Sequence, residues 1–375
     1  MAEQQAAFQA QVLPTRDDGP GIGVATLTAP RKLNALDLGM IQALSRQLEA
    51  WARDPAVACV VLEGEGERAF CAGGDVRAVA EALRGNRPAG LAFAEQYFSA
   101  EYRLDHQLHV YPKPLLVRGQ GVVMGGGLGL FQGGDVRVLT PTSTLAMPEI
   151  TIGLFPDVGA AWFLQRTPPG TGEYAALTGA RLNAADALFM GLGDLVLPED
   201  HRGALLEALQ AVRWHNEPRR DRSLLHQAAR GLAIPRPELS DSPVQARAER
   251  IRQVMAWPGL GQRVAAIRDS ARHDPWLEEN AERFESGSPT SIALIHEQFQ
   301  RTRHLALREC FQLDLVLAIQ CCRRDDFPEG VRALLLDKDQ TPQWQPATLR
   351  EITPDWIDAH FVSPWPDQPN PLLDL

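Results

Sequence analysis

The chain has 375 residues, 45% of them hydrophobic and 22% charged, with a formal net charge of −10 at pH 7. That is enough apolar material for one large buried core or two smaller ones, and the surplus of acid argues against nucleic acid as a partner, since phosphate backbones are gripped by clustered cations. No apolar run approaches the roughly 18 residues of a membrane span, and Cys59, Cys71, Cys310, Cys321 and Cys322 form neither a C-x-x-C pair nor a Cys/His zinc pattern, so the expectation is no metal, no membrane and free thiols in a reducing cytoplasm.

Residues 1–9, rich in Gln and Ala, read as a frayed lead-in to a first strand near residues 11–13, and residues 24–28 read as a second strand. Leu38, Ile41, Leu44, Leu48 and Trp51 then recur at helical spacing behind Asp37, a plausible N-cap. Residues 58–63 form the continuous apolar run of a strand covered on both faces. Phe70 to Asp75 is a glycine turn leading into a helix from Val76, and residues 91–109 read as a helix with Phe93, Tyr97, Tyr102, Leu104 and Leu108 as its apolar set.

A second glycine turn, Gly125-Gly126-Gly127, lies between apolar strands at residues 115–117 and 136–139. Short helices follow over residues 158–166, 172–177 and 183–190, then a loop and strand over 191–198. Strand signals fade beyond residue 200, where helical and Pro-rich stretches take over. They include a long amphipathic region over residues 291–322 and a Pro-rich tail from Ser363, expected to pack on the surface or to be mobile. The alternation predicts an α/β core over residues 10–200 followed by a mainly helical region over 201–375.

Each glycine turn places backbone N–H groups at the entry to a helix, where the dipole favours negative charge. Two such donors converging on one oxygen make an oxyanion hole, typically worth ~3 kcal/mol or more on an acyl-transfer barrier; the plain alternative is two tight turns. Cys71 reads as a small buried residue rather than a nucleophile. His106 and His109 share a helix face but lack a third ligand. No G-x-S-x-G elbow and no G-x-G-x-x-G fingerprint occurs, which disfavours a serine hydrolase of the α/β type and a dinucleotide enzyme.

The motifs CAGGD (71–75), MGGGLGL (124–130), AMPEITIGLFPDVG (146–159) and LTGARL (177–182) resemble the crotonase (enoyl-CoA hydratase/isomerase) superfamily. EYRL (101–104) and the FxEGVRAxLxDKDxxPxW pattern from Phe327 to Trp344 resemble its 3-hydroxyisobutyryl-CoA hydrolase branch, and the likeness spans about residues 11–361. The resemblance implies a crotonase-like spiral of ββα units with a helical C-terminal region. It implies an oxyanion hole from the N–H groups of Gly74 and Gly126, with Glu149 as nucleophile or general base and Asp157 assisting. Glu101 would contact the substrate, and Arg31 and Lys32 would border the CoA nucleotide.

Gly129 stands where the superfamily's hydratases keep their first glutamate, and glycine cannot be a general base. The expectation is therefore thioester hydrolysis of an acyl-CoA, as in valine breakdown, with no cofactor apart from the CoA of the substrate and with homo-oligomer formation left open. Two rivals stand beside it: an enoyl-CoA hydratase or isomerase using Glu149 as its one acid/base, and a CoA-binding protein without turnover. The plain readings of the acids are a capping or solvated Glu149, a turn or N-cap Asp157, and Glu101 on a solvated helix face; Arg31 and Lys32 would be solvated loop charges.

Overall fold

The computed structural model describes residues 8–375; the lead-in predicted over residues 1–9 falls mostly outside the described residues. Two compact units interleave along the chain. The first comprises Met1–Gly74, Leu104–Leu145 and Leu182–Ser242, the second Asp75–Arg103, Ala146–Arg181 and Pro243–Leu375.

The strands, in chain order, are β1 (Phe8–Leu13), β2 (Gly21–Leu27), β3 (Val57–Gly64), β4 (Ala69–Cys71), β5 (Leu115–Gly119), β6 (Val122–Met124), β7 (Val136–Leu139), β8 (Thr144–Ala146), β9 (Leu182–Asn183) and β10 (Leu195–Val196). In the first unit they build a six-stranded sheet, β1-β2-β3-β5-β7-β10, parallel except for the antiparallel β1–β2 pair. Every residue of β3 is buried, which its unbroken apolar run predicts for a strand covered on both faces. One face of this sheet packs Val24, Val61, Leu116 and Val138 against Leu205, Leu209, Leu225 and Ala229, carried by helices Arg202–Gln210 and Pro218–Arg230.

Helix Leu38–Arg53 begins where Asp37 accepts a hydrogen bond from Met40 N–H at 2.8 Å, and it buries the predicted Ile41, Leu44, Leu48 and Trp51. Trp51 lies so close over β2 that a Cβ on Gly23 would stand 2.9 Å from its ring.

The smaller sheet, β4-β6-β8-β9, carries the glycine turns. β4 and β6 are parallel neighbours, so the two turns leave the same ends of adjacent strands. Gly125 has φ 52° and ψ −129°, a backbone conformation closed to side-chain-bearing residues. At Gly127 the constraint is space: a Cβ there would lie 2.2 Å from Cys71 O.

The second unit is largely helical, and among the described residues every element after β10 is helical. Its structural wedge is the 3-10 turn Glu149–Ile152, against which two later glycines close. A Cβ on Gly287 would meet the Ile150 side chain at 2.5 Å, one on Gly330 would meet the Ile152 backbone at 2.5 Å, and one on Gly153, which ends the turn, would meet Asp326 O at 2.4 Å. The amphipathic region predicted over residues 291–322 is instead two helices, Pro289–Arg301 and Leu307–Cys322. The break has a cause: the Glu309 carboxylate takes the Ala306 N–H at 2.6 Å and so starts a new helix.

The tail is fastened rather than mobile. Arg103 pairs with Asp374 at 2.7 Å and donates to Pro371 O at 2.9 Å, and Leu372 is fully buried. The charged end of the pattern from Phe327 to Trp344 is structural: Arg332 is held by Glu329, Asp337 and Asp339 at 2.6–2.8 Å. No helix among the described residues is long and apolar enough to cross a membrane.

Packing of this kind sets a testable contrast between glycines. Gly127→Ala should lose about 3 kcal/mol of stability through overpacking. Gly203→Ala, where a Cβ meets nothing within 4 Å on an exposed helix, should be neutral or gain about 0.5 kcal/mol. Denaturant midpoints at unchanged slope measure both; equal midpoints would contradict the assignment.

Candidate functional site

In the first unit the turns at Gly73-Gly74 and Gly125-Gly126 come together. Gly73, at φ 110°, lies so that a Cβ would be 3.2 Å from Met124 O and 3.6 Å from Gly126 N. The neighbouring amides are engaged: Leu36 N–H goes to Gly73 O at 2.9 Å, and Leu128 N–H to Gly125 O at 2.8 Å. Neither the Gly74 nor the Gly126 N–H has a backbone acceptor among the described residues. An N–H without a backbone acceptor is a donor open to an anionic oxygen.

The loop of Arg31 and Lys32 is tied to the first of these turns. Besides the Leu36 bond, Ala72 N–H donates to Leu33 O at 3.0 Å. Asn34 fixes the loop from inside, donating to Ala69 O at 2.9 Å and to Glu65 O at 3.0 Å. Arg31 and Lys32 themselves are exposed. Cys71 is fully buried, its sulfur 3.4 Å from Gly73 N.

The second unit brings Glu101, Glu149 and Asp157 together, all buried. Glu149 opens the wedged 3-10 turn; Glu101 comes from helix Arg87–His109. Asp157 follows Pro156 and precedes Val158 and Gly159, both in the left-handed region at φ 50° and 76°. The Asp157 Oδ2 accepts a 2.6 Å hydrogen bond from the Tyr102 hydroxyl.

Burial pushes all three carboxyl groups above their usual range. Asp157 rises only to about 6 because the Tyr102 hydrogen bond favours its ionised form. The charge on Asp157 pushes Glu149 and Glu101 further up. One oxygen of each glutamate, Glu149 Oε2 and Glu101 Oε1, is buried without a hydrogen-bond partner among the described residues. An unmade bond at such a place costs about 1–3 kcal/mol, so these are the atoms that a bound polar group can satisfy.

The solvated readings of Glu101 and Glu149 fail, while Asp157 does lie in a turn, its carbonyl accepting the Ala160 N–H at 2.7 Å. Glu101 is not on a solvated face, Glu149 is not solvated, and the N-cap of helix Ala160–Leu164 is Gly159 rather than Asp157. Sequence reasoning placed Tyr102 in an apolar set and missed its hydroxyl as the partner of Asp157. Its adjacency to Glu101 within EYRL was the available signal. It also missed Asp314, whose Oδ2 accepts the Gly159 N–H at 2.9 Å from 155 residues away; no local pattern marks such a contact.

The chain matches the enoyl-CoA hydratase/isomerase family over residues 22–361. It is 36% identical over 343 residues to the mitochondrial 3-hydroxyisobutyryl-CoA hydrolase of Gallus gallus, covering 91% of this chain and 86% of that protein. It is 33% identical over 363 residues to 3-hydroxyisobutyryl-CoA hydrolase 1 of Arabidopsis thaliana, covering 95% and 93%. Among solved structures, a carnitinyl-CoA dehydratase from Mycobacterium thermoresistibile superposes with a TM-score of 0.82 at 32% identity, over 95% of this chain and 97% of that one. The protein belongs to the enoyl-CoA hydratase/isomerase family and has the crotonase-like α/β fold that its motifs imply.

One expectation is corrected by these relatives: the vertebrate proteins are mitochondrial by name, which overturns the cytoplasmic reading. Composition and cysteine usage carry no organelle's address.

The raised Asp157 carboxyl has a consequence for stability. Between an unfolded value near ~4 and the folded value of about 6, the folded state holds a proton that the unfolded chain has released. Stability is therefore lost as pH rises through this window and stays lost above it. Asp157→Asn keeps an acceptor for Tyr102 and should be more stable than the wild type at pH 7.5 by on the order of 2 kcal/mol. The difference should vanish near pH 4, and urea titrations at the two pH values would expose the opposite trend.

Proposed function

We propose that this protein hydrolyses an acyl-CoA thioester, 3-hydroxyisobutyryl-CoA, to 3-hydroxyisobutyrate and free CoA. The observation that carries the reading is the dry carboxylate group of the second unit: Glu149, with a buried unpartnered oxygen, under the charge of an Asp157 held by Tyr102. Support comes from relatives that bear the hydrolase name across animals and a plant. Gly129, inside the buried helix Gly126–Gln132, offers no carboxylate where the family's hydratases keep their first glutamate.

In this scheme the thioester oxygen accepts from the N–H groups of Gly74 and Gly126, which stabilise the negative charge that grows there. Glu149, once deprotonated, has two routes. As nucleophile it bonds to the carbonyl carbon, the C–S bond breaks, CoA leaves as thiolate, and water then cleaves the mixed anhydride. As general base it takes a proton from water, which attacks the carbonyl directly. Asp157 orients the water or the β-hydroxyl, Glu101 contacts the acyl part, and Arg31 and Lys32 border the CoA nucleotide. The scheme needs no cofactor beyond the CoA of the substrate.

Thiol release from 3-hydroxyisobutyryl-CoA tests the proposal. Glu149→Ala should lower kcat/KM about a thousandfold, within the range of general acid–base and nucleophilic groups. Single turnover in heavy-oxygen water should leave label in the Glu149 carboxylate if an anhydride forms and water opens it at the Glu149 carbonyl, and mass spectrometry should trap an acyl-enzyme on Glu149 if it opens at the acyl carbon; absence of both leaves Glu149 as the base. Loss of enoyl absorbance without thiol would sink the hydrolase reading in favour of a hydratase, and tight CoA binding with neither signal would leave a binding protein.

A further inference from the structure

Asp157 sits on a backbone that its own sequence does not favour. Val158 is β-branched, fully buried and at φ 50°, a conformation such residues rarely adopt, and Gly159 follows at φ 76°. Two consecutive left-handed residues persist only where the surroundings over-determine them.

What determines them comes from the two helices that the break at residues 302–306 creates. Asp314, on Leu307–Cys322, accepts the Gly159 N–H at 2.9 Å through Oδ2. Gln298, on Pro289–Arg301, spends one amide proton on Asp314 Oδ1 at 3.0 Å and the other on Pro156 O at 3.1 Å. Both side chains are fully buried. The residue before Asp157 and the residue two beyond it are thus held by one connected pair, while Tyr102 holds the carboxylate itself at 2.6 Å. Phe311, one turn before Asp314, closes the other side: a Cβ on Gly159 would stand 3.0 Å from its ring.

We infer that Asp314 and Gln298 are positioning residues: together they clamp the backbone over residues 156–159 and thereby aim the Asp157 carboxylate. The inference rests on the hydrolase reading for what Asp157 does and on the geometry alone for how it is held. Asp314 shares the burial that raises the other carboxyl groups, and the charge on Asp157 pushes it the same way. Asp314 therefore makes its contacts as an acceptor of neutral donors rather than as half of an ion pair.

The test uses the full chain and two near-isosteric variants, Asp314→Asn and Gln298→Met, the second standing in if the first fails to fold. Amide exchange followed by mass spectrometry should quicken at least about tenfold over residues 156–160 while helix Leu307–Cys322 keeps its protection. In the thiol-release assay kcat should fall about 10- to 100-fold with KM changed less than about threefold, the pattern of a group aimed at the transition state. Unchanged exchange over residues 156–160, or an unchanged kcat, overturns the clamp. If the wild type releases no thiol, the hydrolase reading fails and the exchange result alone decides the clamp.

Discussion

Four carboxyl groups, Glu101, Glu149, Asp157 and Asp314, are buried in one unit, and among the described residues none of them is paired with an arginine or lysine. Shutting away acid without a counter-ion is among the costlier things a fold can do. Burial raises all four above the usual carboxyl range, and Asp157 and Asp314 accept hydrogen bonds from neutral donors: a tyrosine hydroxyl, a backbone N–H and a glutamine amide. The helices of the second unit supply the donors and exclude the water that would otherwise solvate the charges. Stability is given up locally to keep acids poised, the usual tension between a working site and a relaxed one.

The first unit solves the complementary problem with almost no side chains. Parallel strands β4 and β6 deliver two turns to the same place, and each glycine there answers a different demand. Gly125 supplies a backbone angle, Gly127 makes room for the Cys71 backbone, and Gly126 offers an N–H without a backbone acceptor. A run that looks redundant in composition is three separate constraints in space.

This division explains what the sequence could and could not say. Local rules worked where the cause was local: the Asp37 cap, the buried β3, the helix faces and the glycine turns follow from neighbours a few residues apart. The motifs located Glu149, Asp157 and Glu101, although nothing in their spacing said that Glu101 would be buried. The clamp on residues 156–159 was invisible because its parts lie some 140 to 155 residues away, in helices whose apolar pattern gave Gln298 and Asp314 no distinction. For the tail from Ser363 the sequence left packing and mobility both open, and the structure shows packing. Proline content signals disorder, while the anchors that order it, Arg103 and Gln312, are far off in sequence.

Three consecutive residues of helix Arg87–His109 are committed in different directions: Glu101 to the buried acids, Tyr102 to Asp157, and Arg103 to the far end of the chain at Asp374. Successive side chains on a helix are splayed about 100° apart, so this one turn has no azimuth left to give. It can neither rotate nor slide without releasing an acid, a phenol or the C-terminus. Attempts to widen the acyl preference by redesign would therefore do better to leave this turn untouched, and drift at any of the three positions should be matched by change at distant sites.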